Sequence, residues 1–268
     1  MKKLFAKSLV VTCAALGALL FCLPACKVGE AEVRYKLSED GTHYIVDGVM
    51  GDKRGLSKYE IPSTYAGEDG VELPVTEIGD EAFWECYRLT SVTIPEGVTY
   101  IGDRAFAKTA LKQCTIPDTV ETIGYAAFGK CDNLKEITVP ASVTELGDLA
   151  FYCCSGLVTA RVEASVELLG DKVFWNPVAT QGSNTFYSSS LTTVYLSKTI
   201  RTVNVSSLQG NMLTDIYYMG TEEEWTNVVF FAMVEVETAS GETTLVEEKQ
   251  DKTELLKNIK MHFSSKQN

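Results

Sequence analysis

The side chains able to do chemistry are few. The 268-residue chain holds two histidines, His43 and His262, and eight cysteines. Two histidines leave little for histidine-based catalysis or a multi-histidine metal site. No cysteine pair has the Cys-x-x-Cys spacing that zinc or thiol redox chemistry needs, since Cys153 and Cys154 are adjacent. There is no Gly-x-Ser-x-Gly, His-Glu-x-x-His, Walker loop or dinucleotide fingerprint. Among 36 acids some pair could act as acid and base, but no positioned set is visible. The sequence therefore reads as a non-enzyme without cofactor or metal.

The charge balance narrows the partners. With 24 basic and 36 acidic side chains the formal charge is −12, which excludes nucleic acid as the main ligand. A 45% hydrophobic and 10% aromatic composition is enough for a packed core. Lys2, Lys3 and Lys7 precede an apolar run of 17 residues, Leu9 to Ala25, which reads as an export signal. A retained membrane anchor is the alternative, at the short limit for a span. Leu23-Pro24-Ala25-Cys26 resembles the lipobox of bacterial lipoproteins, which implies acylation at Cys26 and anchoring to the membrane. Pro24 departs from that pattern, and an ordinary signal peptide of a secreted protein is the competing reading. Removing residues 1–25 takes away three positive charges and leaves 21 − 36 = −15.

The elements that must position any surface come from an internal repeat. Val75, Ile78, Gly79, Ala82, Phe83, Cys86, Leu89, Val92, Ile94 and Pro95 set a frame. It returns from Val98, Val120 and Val143, at steps of 23, 22 and 23 residues. Degenerate copies follow through Val166, Gly170 and Phe174, then Ile200, Val203 and Leu213. Leucine-headed halves at Leu56, Leu89, Leu111, Leu134, Leu157, Leu191 and Leu213 give about seven rungs. Val92-Thr-Ile94 alternates as a short strand does, and Pro95, lacking an N–H, belongs at its end. Val75 and Ile78 predict a second inward stretch, Gly79 a turn, and Ala82 to Leu89 a single helical turn. One rung cannot offset the entropy of ordering its own backbone, so rungs must stack.

These residues resemble the BspA-like leucine-rich repeats of bacterial surface proteins, over about residues 56–218. Flanking segments resemble the same family: Tyr35 to Tyr44 its N-terminal hairpin, and Ile216 to Trp225 its C-terminal closing segment. The resemblance implies a curved solenoid, a surface location and, for some members, adhesion. The expected fold is a right-handed, β-rich superhelix of short parallel strands and single helical turns, capped at both ends. The expected division is a signal peptide at 1–25, a hairpin cap at 26–55, the solenoid at 56–218 and a C-terminal cap at 219–268. Thr221-Glu-Glu-Glu224 reads as a capping box bringing Trp225 over the last rung. Residues 229–237 and 243–247 read as a hairpin, and Ile259–Phe263 as a last strand.

Cys86, Cys131 and Cys154 share one repeat position, and Cys114 replaces a strand valine. All four read as inward fillers, with a Cys131–Cys154 disulfide as the sharper alternative that parallel Cβ directions oppose. Cys153 reads as outside that inward set. The outward strand positions form one face: Glu60, Thr93, Thr115, Thr138, Arg161, Tyr195 and Tyr217. Arg and Tyr are common binding anchors, although Thr and Tyr are also good strand formers. An insertion near Trp175–Ser190 carries Phe186 and Tyr187 beside that end, because Phe174 to Leu191 spans 17 residues where Phe83 to Leu89 spans six. Alternatively Phe186 is the core phenylalanine of its rung and Phe174 is displaced. The expected function is binding of a protein or glycan at the cell surface through Thr115, Thr138, Arg161, Tyr195, Tyr217, Phe186 and Tyr187. The alternative is a structural or assembly subunit of the envelope with no soluble ligand.

Overall fold

A frame with two apolar clusters per 22 or 23 residues buries both only if the chain coils and each coil lies on the last. The computed structural model describes residues 31–176, 189–237 and 243–264, and does so as a stack of this kind. On one side Glu136–Val139, Thr159–Val162, Thr193–Leu196, Asp215–Tyr218 and Lys260–Phe263 form a parallel sheet in that order. Its register follows the frame, with Ile137, Ala160, Val194, Ile216 and Met261 level with one another. The first four of these are buried and Met261 packs against the same core. Upstream, Lys58–Glu60 pairs in parallel with Ser91–Thr93.

The opposite side carries shorter strands. Glu72–Ile78, Tyr100–Ile101, Thr122–Ile123 and Glu145–Leu146 follow one another in parallel. A second set continues as Leu168–Leu169, Thr202–Asn204 and Val229–Glu237. The turn at Asp40-Gly41 joins antiparallel strands Glu32–Leu37 and Tyr44–Met50, and the latter pairs in parallel with Glu72–Ile78. At the other end Thr221 and Glu224 form the expected capping box on helix Glu222–Thr226. Trp225 is buried against Tyr218, Phe230 and Phe263 at ring distances of 5.1, 5.8 and 6.5 Å. Lys252 donates from Nζ to the carbonyls of Trp225, Thr226 and Val228 at 2.6, 3.0 and 3.1 Å, which closes that helix.

Between the two sides runs a column of phenylalanines. Phe83, Phe106, Phe128, Phe151 and Phe174 are fully buried and stack with ring centroids 5.2 to 5.5 Å apart. Phe174 therefore holds the core position, and the alternative that displaced it in favour of Phe186 fails.

Three expectations about the rung need correction. The segment from Ala82 to Cys86 is not a helical turn. Ala82, Trp84 and Cys86 donate within the turn to Gly79, Glu81 and Phe83, but Glu81, Phe83 and Glu85 donate to Asp103, Ala105 and Ala107 of the next rung. That alternation requires left-handed residues, and Glu81 and Glu85 have φ of 56° and 60°. Nor is the repeat glycine needed for a turn conformation. A Cβ on Gly102 would lie 2.8 Å from the carbonyl carbon of Gly79, so these glycines allow rungs to touch. Finally, residues 114–116 form no strand. Their rung is one residue shorter, which draws them out of register with Ser91–Thr93 and Glu136–Val139.

The five cysteines among the described residues are free thiols. Cys86, Cys131 and Cys154 are buried as expected, but Cys114 is half-exposed and Cys153 is buried. Cys131 and Cys154 donate to the carbonyls of Phe106 and Phe128, at 3.3 and 3.1 Å, so each thiol is directed at the preceding rung's backbone. Burial pushes the Cys86 thiol up to about 11.

Candidate binding face

The outward row is built by strand alternation. Once Ile137, Ala160, Val194 and Ile216 turn inward, Thr138, Arg161, Tyr195 and Tyr217 must turn out, and the parallel register sets them side by side. The Arg161 guanidinium lies 3.7 Å from the Tyr195 ring centroid. Tyr195 and Tyr217 stack at 4.5 Å and 12°. The structure brings these three side chains together.

His262 was missed. Lys260–Phe263 adds to the sheet beyond Asp215–Tyr218, so His262 falls level with Tyr217 and stacks on it at 4.1 Å and 8°. Its Nε2 lies 2.8 Å from Asp215 Oδ1. That hydrogen bond, with a second from the Thr214 hydroxyl, holds the Asp215 carboxyl below its ordinary range. The sequence signal was the alternation Met261 in, His262 out, Phe263 in. What it lacked was any sign that this strand joins the repeat sheet.

Stacking has a chemical consequence. The two tyrosines and the imidazole cover one another's faces, so the row presents ring edges and hydroxyls to solvent. Arg161 covers the outer face of Tyr195, with no carboxylate paired to it among the described residues. A guanidinium fixed in this way keeps its fork of donors ready for an acceptor.

The other half of the face is less regular. The row from Glu60 and Thr93 is interrupted at Thr115, where the missing strand leaves a groove of about 400 Å³. Thr115, Thr138, Cys114, Glu136 and Glu163 line it. The continuous face expected from Thr93 to Tyr217 is thus two segments. Cys26, Phe186 and Tyr187 lie outside the described residues. The ends of the insertion are pinned together, since Asn176 Nδ2 donates to Ser189 Oγ at 3.4 Å and to Asn211 Oδ1 at 3.1 Å.

Many acids belong to the stack. Asp80 accepts from the Asp103 N–H at 2.8 Å, Asp103 from Tyr125 at 2.7 Å, and Asp148 from Asp171 at 2.7 Å. Glu81 pairs with Arg104 at 2.7 Å and Glu85 with Lys108 at 2.6 Å, each across one rung. A net charge of −12 gives no sign of these contacts.

Comparison with known proteins agrees with this architecture. Residues 69–180 and 176–237 match the BspA type leucine rich repeat region in six copies. A leucine-rich repeat protein from Bacteroides ovatus superposes with a TM-score of 0.52 at 23% identity, over 70% of this chain and 54% of its own. The chain therefore spans about half the length of that protein. A leucine-rich repeat protein from Bacteroides capillosus is 34% identical over 50% of this chain and 95% of its own, with a TM-score of 0.42. The leucine rich repeat protein of T. pallidum is 22% identical over 69% of this chain and 82% of its own, with a TM-score of 0.47. Comparison with curated sequences gives no match. The repeat, its parallel strands and its phenylalanine column place the chain in the BspA type leucine rich repeat family.

Proposed function

We infer that this is an exported cell-surface protein, anchored through an acylated Cys26, that binds a protein or glycan through its outward strand face. The reading takes the stack as a right-handed superhelix of about seven rungs, with residues 26–55 and 219–268 as its caps. The observation that carries it is the row Arg161, Tyr195 and Tyr217, extended by His262. Immobilised side chains lose little further entropy on binding, and Arg and Tyr are common anchors. A role as scaffold and not catalyst fits the family's usual use in protein interaction.

Cross-linking on intact cells followed by mass spectrometry tests both halves. A diacylglycerol-modified Cys26 and cross-links concentrated around Arg161 to Tyr217 are expected. Cells carrying Tyr195→Ala with Tyr217→Ala should lose the captured partner while keeping the protein at the surface. Undiminished capture by that variant would remove the face from consideration.

A further inference from the structure

The hairpin of Val229–Glu237 and Thr243–Gln250 does not end where the core ends. Phe230 and Phe231 are buried, but along Thr243–Gln250 every residue except Gln250 is exposed. Met233, Val236, Leu245 and Val246 are 43, 44, 58 and 43% exposed. Thr243–Gln250 is the terminal strand of its sheet, and its outer edge has no partner strand among the described residues. Eight residues of strand span about 27 Å of unpaired donors and acceptors. Exposed edges of this length are usually protected by charge. Here Glu247, Glu248 and Lys249 guard one half, while Thr243, Thr244, Leu245 and Val246 leave the other unguarded.

We propose that this edge pairs antiparallel with the same edge of a second copy of the chain, about a two-fold axis at Val246. Charge limits the register. An axis at Glu247 or Glu248 would set that glutamate against its own copy, which is repulsive. An axis at Val246 sets Leu245 opposite the second copy's Glu247, Thr244 opposite its Glu248, and Thr243 opposite its Lys249, so no like charges meet. Within each hairpin Val234 lies level with Val246. The axis at Val246 therefore joins four valines, Val234 and Val246 from each copy, into one row across four strands. The strand face of Arg161 and Tyr195 lies in the other sheet and takes no part, so this pairing stands or falls independently of the ligand reading.

Sedimentation of the purified chain carrying Cys26→Ser, so that no lipid is attached, provides the test. The expected result is a monomer–dimer equilibrium within about 1 to 100 µM. Val246→Lys, which places lysine against lysine, should raise the dissociation constant at least about tenfold. Met212→Lys, at a site 66% exposed elsewhere, should leave it unchanged. Circular dichroism of each variant confirms that the fold is retained. A monomer at every concentration overturns the proposal, and so does a dimer indifferent to Val246→Lys.

Discussion

Replacing Phe128 by alanine removes the middle ring of a column of five. Phe128 is fully buried, 5.2 Å from Phe106 and 5.4 Å from Phe151, with interplanar angles of 16° and 11°. Truncation of a buried phenylalanine costs about 3–5 kcal/mol, and each aromatic contact accounts for about 0.5–1.5 kcal/mol of it. Phe174 is equally buried but has one ring neighbour among the described residues, Phe151 at 5.5 Å. The same truncation there should cost less by one contact, about 1 kcal/mol. Urea unfolding followed by circular dichroism gives both values. In a Trp175→Phe background, tryptophan fluorescence adds a second reading, because the two remaining tryptophans, Trp84 and Trp225, lie at opposite ends of the stack. Loss of a middle rung interface should let the two ends unfold at separate midpoints, as expected for coupling between nearest neighbours. The reasoning is refuted if Phe174→Ala costs as much as Phe128→Ala, or if the two tryptophans still report one transition after a loss of that size.

Two further outcomes follow from local geometry. Asp215 has a folded pKa below its unfolded value of about 3.9, so the stability it contributes is present above that value and is lost as pH falls through the lower one. Asp215→Asn should flatten the acid side of a melting-temperature profile, below the ordinary carboxylate range, and an unchanged profile would show that the pair with His262 contributes nothing. Ala126 and Ala127 are adjacent and buried, but only Ala126 is left-handed, with φ of 51°. Ala127→Gly should cost about 1–2 kcal/mol through lost burial and added backbone freedom. Ala126→Gly should fall within about 1 kcal/mol of neutral, because it relieves the left-handed penalty. Equal losses at the two sites in chemical denaturation would contradict the account.

The inward positions were legible in the sequence because they recur. Val, Ile, Leu and Phe at a 23-residue period leave one arrangement that buries them all, and the register of Arg161 with Tyr195 and Tyr217 follows from it. The left-handed positions were not legible. Glu81, Arg104, Ala126 and Leu149 share no chemistry, and their conformation is imposed by the hydrogen bonds on either side rather than by their own preference. The shorter rung could be counted from Val98 to Val120, but counting does not reveal that the shortfall falls on Cys114–Ile116. His262 shows the limit of periodicity. Its strand follows Tyr218 by some forty residues of unrelated structure, and only three dimensions bring it back into the row.

The turns of the stack also give it an electrical direction. Along their edge, alternate N–H groups of each rung point toward the next rung, as Glu81, Phe83 and Glu85 do toward Asp103, Ala105 and Ala107, and Arg104, Phe106 and Lys108 toward Tyr125, Ala127 and Gly129. Peptide dipoles aligned head to tail add, as they do along a helix. The N-terminal edge ends in carbonyls, and there Lys53 places its ammonium 2.6 Å from the Trp84 carbonyl. At the C-terminal edge the same N–H groups meet Val205–Ser207 and the residues after it: the Ser206 hydroxyl receives Lys172 at 3.0 Å, as an N-cap serine would, and the Ser207 carbonyl receives Phe174 at 3.1 Å. A lysine at one end and serines at the other do for loops what caps do for a helix. Rungs can therefore be gained or lost in the interior without disturbing this polarity, whereas the two ends cannot be exchanged.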